Sequence, residues 1–383
     1  MKNFCLCVLA IVLASSCRTT RLQTNNNESI GSLKLIGQYN VPYNLSFDNT
    51  TVGGLSGIDY DPQTQNYYLI CDDRSAINPA RFYTARLYFT DKSFDSVAFT
   101  KVTYLLNPQG QTYPDSKTAP SLAPDPEAMR FNPKKNCLVW SSEGERIVTD
   151  KDTILNNPAV YEISLTGKYL DSFALPSQFV MKATENGPRR NGVFEGIGFS
   201  DNFKHMFVSL EEPRYEDGPR SDVTDGPAYT RIIKYNVDTR QPIAQYAYKL
   251  EPIAYKAIPE DAFKVNGISD ILALSDTRIL TIERSFSTGI RDCTIKLFIT
   301  DLKGATDIKN INSLKQTPGF KPASKKLLFN FASLNRYIDN IEGVTFGPIL
   351  PNGHQSLIFV ADNNFSDKEE SQFFLFEVVP SKQ

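Results

Sequence analysis

One pattern returns five times along this chain of 383 residues, and nothing else in it limits the possible folds as much. The copies open at Leu55-Ser56-Gly57-Ile58, Pro126-Glu127-Ala128-Met129, Phe194-Glu195-Gly196-Ile197, Ile268-Ser269-Asp270-Ile271 and Ile341-Glu342-Gly343-Val344. Counted from Ser56 through Glu127, Glu195 and Ser269 to Glu342, the steps are 71, 68, 74 and 73 residues. A polar turn follows each opening, as in Asp61-Pro62-Gln63-Thr64 and Asn132-Pro133-Lys134-Lys135. A second apolar strand then runs into an acid: Asp72, Glu143, Glu211, Glu283 or Asp362. Third and fourth strands of alternating polarity complete the first four copies. The fifth copy has only the strand 373–379 before the chain stops, and a strand without a partner, 33–41, stands at the other end. Self-similarity at such a period marks repeated units that bury their faces only by stacking. The expected fold is all-β: a β-propeller of four-stranded blades, with the N-terminal strand completing the last blade and closing the ring. Five blades are visible, and a sixth hidden in a long insertion is the alternative. The 25 Phe and 18 Tyr suit strands.

The first residues have a separate purpose. Lys2 precedes an apolar run, Phe4 to Ala14, that is too short to span a bilayer as a helix. Small residues and Cys17 follow, so residues 1–16 read as a lipoprotein signal peptide and Cys17 as the lipidated residue. Residues 17–31 are polar and read as a flexible tether, which leaves 32–383 as one domain. The expected location is the bacterial cell envelope, with membrane contact only through the lipid, or outside the cell if Cys17 is not lipidated.

Charge and residue counts exclude several functions. Lys and Arg number 41 against 43 Asp and Glu, so there is no basic footprint for nucleic acid. The only histidines, His205 and His354, lie in turn-like segments, so a zinc site built on several histidines cannot be assembled. No G-x-S-x-G elbow is present, which argues against a triad esterase. Cys71, Cys137 and Cys293 are an odd set and not a disulfide framework.

The acids carry the remaining chemistry. Inner strands of a propeller line a central channel, so Glu127, Glu195 and Glu342 are expected to converge at one end of it, with Asp270 close by. Carboxylates so gathered need a counter-charge or must take up protons. With oxygen as the only donor, a hard cation such as Ca²⁺ is the expected cofactor, held by Glu127, Glu195, Glu342 and Asp270. The strand-end acids read equally well as turn caps. Arg74 and Arg284 either pair with neighbouring acids or face an oxyanion bound over the cation.

Several segments together resemble the bacterial phytase-like propeller family termed "esterase-like activity of phytase". They include Gly54-Leu55-Ser56-Gly57-Ile58-Asp59-Tyr60-Asp61-Pro62, Asp72-Asp73-Arg74, Asp125-Pro126-Glu127, Phe194-Glu195-Gly196, Glu283-Arg284-Ser285-Phe286, Asn340-Ile341-Glu342-Gly343 and Asp362-Asn363-Asn364-Phe365. Ala128 departs from the pattern, where Gly is usual. The resemblance implies a β-propeller with ester- or phosphoester-hydrolysing activity. Three readings follow. The first is a calcium-dependent hydrolase of small anionic esters, phosphate monoesters foremost, acting as a monomer with Glu195 as general base and Arg74 and Arg284 stabilising negative charge. The others are a non-catalytic binding propeller and a lactonase-like hydrolase.

Overall fold

A computed structural model describes residues 30–381. The expected signal peptide, Cys17 and most of the tether lie outside the described residues. The described residues fold into five antiparallel sheets of four strands each, with two small two-stranded sheets beside them. Their inner strands are Leu55–Asp61, Pro126–Asn132, Phe194–Phe199, Lys264–Ala273 and Asn340–Ile349. Each packs on the inner strand of the next blade and the fifth packs on the first, so the ring is closed. The expected five blades are present, and no sixth forms among the described residues. The strand Ile30–Val41 supplies the fourth strand of the last blade, with Leu33 opposite Val378 and Val41 opposite Ser371. It begins two residues inside the expected tether, because Ile30 pairs with Pro380 and is buried. No α-helix forms among the described residues. A 3-10 turn, Phe331–Leu334, follows the outer strand of the fourth blade.

Apolar side chains fill the spaces between blades. Between the fourth and fifth, Phe331 packs edge-on against Phe359 and Phe376 at centroid distances of 5.0 and 5.6 Å. Close approach at the centre demands small residues: a Cβ on Gly196 would lie 2.7 Å from the Ile271 amide nitrogen of the next blade. Ala128 shows that the second blade accepts a methyl group there, fully buried.

The inner strands are also tied together through the channel. Arg130, in the second blade, crosses the ring to Asp270 in the fourth, Nη2 to Oδ2 at 2.6 Å. The same guanidinium donates to the Ile58 carbonyl of the first blade at 2.8 Å. Asp270 accepts in addition from the Val344 amide of the fifth blade at 2.9 Å. Asp59 joins the first blade to its two neighbours, accepting from the Phe131 amide and the Thr345 hydroxyl, both at 2.7 Å.

Candidate functional site

Each inner strand carries an irregularity at the same place in every blade, and the fifth has another further along, between Phe346 and Ile349. The register slips between Leu55 and Gly57, Pro126 and Met129, Phe194 and Gly196, Ile268 and Asp270, and Ile341 and Gly343. The extra residues are Ser56, Glu127 (with Ala128), Glu195, Ser269 and Glu342. A bulge frees a residue from the ladder and re-aims its side chain, so a motif repeated in sequence becomes a ring of side chains at one end of the channel. The two serines bind within the ring: Ser56 donates to the Glu127 carbonyl at 2.7 Å and Ser269 to the Ile341 carbonyl at 2.9 Å.

A second ring stands around the first. The second strands pair with Leu55, Pro126, Phe194, Ile268 and Ile341 through Cys71, Ser142, Leu210, Glu283 and Ala361. The residues one step further are Asp72, Glu143, Glu211, Arg284 and Asp362. The fourth member of this ring is therefore Arg284, not the expected Glu283. Glu283 instead accepts from Tyr248 Oη at 2.7 Å and Lys325 Nζ at 2.5 Å, away from the ring. Arg284 donates to Glu211 at 2.7 Å and lies 3.6 Å from Glu342.

Local hydrogen bonds set the loops that carry the rest. Asp73 accepts from the amides of Ala76, Ile77 and Asn78 and from Arg81 Nη1, which fixes the turn presenting Asp72 and Arg74. Arg74 lies 3.3 Å from Asp125 and 2.7 Å from Glu145. Glu143 accepts the Val193 amide, which links the second blade to the third.

Among the described residues, two groups of carboxylates reach metal-binding spacing. Oxygens of Asp72, Asp125 and Glu127 all lie within 4.8 Å of one another, and so do oxygens of Glu127, Glu143 and Glu195. Glu127 belongs to both. Of the four expected metal ligands, Glu127 and Glu195 are thus brought together. Glu342 stands apart, accepting from Asn340 Nδ2 at 2.8 Å. Asp270 is committed to Arg130 deeper in the channel and is no ligand in this arrangement, because the guanidinium, the Val344 amide of the fifth blade and the Ile271 amide of its own strand occupy its oxygens. Asp125 was not among the expected ligands. It lies two residues before Glu127, immediately ahead of the strand Pro126–Asn132.

Burial dominates the electrostatics. It pushes Asp125 and Glu143 up to about 8 and Glu342 up to about 7, with the like charges of neighbouring carboxylates adding to the effect. Glu127 and Glu195 are raised well above the ordinary carboxylate range for the same reasons. The sign of the pH dependence follows. An acid with a raised native pKa binds more protons folded than unfolded, so its contribution is complete below the unfolded value and is lost as pH rises through the native one. In chelator, the urea midpoint should therefore fall between about pH 5 and about pH 8. A divalent cation should reverse that fall and release protons on binding, measurable by titration in buffers of different ionisation enthalpy.

The chain is similar to several solved structures. These include a soluble aldose sugar dehydrogenase from Escherichia coli (8% identity, 91% of this chain and 99% of that one, TM-score 0.40). A putative glycosidase from Bacteroides thetaiotaomicron matches at 10% identity over 93% of this chain and 96% of that one, TM-score 0.43. A gluconolactonase from Xanthomonas campestris matches at 10% identity over 91% of each chain, TM-score 0.36. Among curated proteins no relative matches. A family model described as "Phytase-like: Esterase-like activity of phytase" matches residues 50–365.

Proposed function

The chain belongs to the phytase-like family, and from that premise we infer that it is a cation-dependent hydrolase of small anionic esters, phosphate monoesters foremost. The observation that carries the reading is the pair of buried carboxylate groups sharing Glu127. The donor set fits a hard cation: it is all oxygen, and its oxygens are close enough for Ca²⁺ at about 2.3–2.6 Å from each. Burial leaves its charge largely uncompensated, which a cation would correct.

Asp72, Asp125 and Glu127 would hold the ion, Asp72 being partly exposed toward the mouth. When bound, it supplies Lewis-acid polarisation of an ester oxygen. Glu143 and Glu195 lie beside this triad and hold a proton between them: burial pushes both carboxyls upward, the charge of Glu143 raises Glu195 further, and the hydrogen bond from Glu195 favours the Glu143 anion. Once ionised, Glu195 takes a proton from the attacking water as the water oxygen bonds to phosphorus and the ester P–O bond breaks, and that proton passes to the departing alkoxide. Arg74 and Arg284, each already anchored on an acid, place guanidinium donors where an anionic substrate loads the mouth.

The test is a calcium titration by calorimetry on the chain lacking residues 1–17, followed by phosphate release from monoesters and acid release from lactones. Calcium binding with phosphate release supports the reading. Glu195→Gln should keep calcium affinity and lose turnover. A folded protein without calcium binding overturns the reading in favour of a binding propeller, and acid release from lactones alone favours the lactonase-like alternative.

The N-terminal sequence supports export and lipid anchoring through Cys17. The strand that begins at Ile30 enters the last blade opposite Pro380, at the end away from Asp362, so the tether would leave from the face opposite the acids. Cys17→Ser should move the protein from the membrane to the soluble fraction, read by fractionation and globomycin-type signal-peptidase inhibition. Unchanged partition overturns the anchor.

A further inference from the structure

Glu145 differs from every acid around it. Its side chain is 2% exposed and its oxygens are all engaged. Oε1 accepts from Arg190 Nε and from the Arg146 amide, both at 2.8 Å. Oε2 accepts from Arg74 Nη1 at 2.7 Å and Arg190 Nη2 at 3.2 Å. A carboxylate with these positions filled has nothing to offer a cation. Burial opposes its charge, but the hydrogen bonds from Arg74 and Arg190 outweigh it and hold Glu145 below the ordinary carboxylate range. One carboxylate thus carries two guanidiniums, and one of them, Arg74, is shared with Asp125.

The pair is not closed on itself. Arg74 Nη2 is buried and has no hydrogen-bond partner among the described residues. An unmet buried donor of a charged group is costly unless a ligand supplies the acceptor. Arg190 engages Glu145 through Nε and Nη2 only, and its side chain is 50% exposed. Arg74 also lies 3.3 Å from Asp125, a member of the triad with Asp72 and Glu127, so the pair borders the place where an ion would be held.

We propose that Arg74 and Arg190, clamped together on Glu145, form an oxyanion subsite that receives the phosphoryl group of the substrate beside the Asp72, Asp125 and Glu127 triad. The proposal rests on the phosphoester reading and adds Arg190 as a binding residue and Glu145 as a positioning residue. A phosphoryl group presents three strong acceptor oxygens, enough to engage both guanidiniums and keep one toward the triad, whereas a carboxylate has two. Planar guanidiniums fit this geometry, and an ammonium does not.

The experiment titrates inorganic phosphate, and acetate in parallel, into the full chain and into Arg190→Ala, Arg190→Lys and Glu145→Gln by calorimetry. Calcium is titrated separately into each. Phosphate should bind wild type at least about tenfold more tightly than acetate. Arg190→Ala should weaken phosphate about tenfold, and Arg190→Lys should restore only part of it. Glu145→Gln should weaken phosphate while calcium affinity stays within about twofold, since Glu145 spends its oxygens on donors. Arg190 is half exposed, so its variant reports even if Glu145→Gln unfolds. Unchanged phosphate affinity in Arg190→Ala, or equal affinity for acetate, overturns the subsite. Loss of calcium binding alone overturns the cation reading and leaves the subsite to the phosphate result.

Discussion

Glu127→Gln should abolish the stabilisation that calcium is expected to give the wild-type protein, and with it the expected turnover. Glu127 is the one residue shared by the two carboxylate groups, so a single change removes a carboxylate from both. At roughly a thousandfold excess of ion over Kd, linkage predicts about 4 kcal/mol of added stability for the wild type. The variant should show little of it in urea denaturation with and without chelator. The chelated variant should be no less stable than chelated wild type at neutral pH. Glutamine keeps the side chain's size and removes a carboxyl that burial and the neighbouring Asp72, Glu195 and Asp125 disfavour as an anion. A variant that loses stability in chelator yet gains normally from calcium would sink the assignment.

The second large effect lies deeper and has the opposite character. Arg130→Ala should cost about 3–5 kcal/mol, because it strands Asp270 as an unpaired buried acid. Both side chains are almost fully buried, at 2% and 0% exposure, and their pairing joins blades that are not neighbours. Burial pushes Asp270 up to about 6 despite Arg130, so the variant should recover stability as pH falls and the carboxyl takes a proton. The double change Arg130→Met with Asp270→Leu should cost much less than either single change, since an apolar pair needs no compensation. Calcium affinity should survive in the double variant. Its loss there would return Asp270 to the ligand set from which its hydrogen bonds exclude it.

Much of the architecture is legible in the order of the residues. The repeated period sets the number of blades, because each unit buries its faces only against the next. The missing strand after 373–379 and the spare one at 33–41 set the closure, because an open edge is a cost that pairing removes. Glu127 and Glu195 are legible as converging acids because equivalent positions of repeated strands must face the same axis.

The chemistry within the ring was decided by contacts that no spacing encodes. Asp270 looked like a ligand because it neighbours Ser269, yet Ser269 is the bulged residue, and Asp270 turns to an arginine 140 positions away in sequence. Glu283 looked like the fourth strand-end acid, but pairing to Ile268 hands that place to Arg284. A bulge of one residue moves a side chain to the other side of a strand, and its location depends on pairing geometry. Glu145 and Arg190 lie outside the repeated strands, so no periodicity marked them. Local sequence determined which strands form and how they close, since hydrophobic alternation is a property of neighbours along the chain. Only the tertiary structure decided which acids keep their charge, since that depends on burial and on partners brought from other blades.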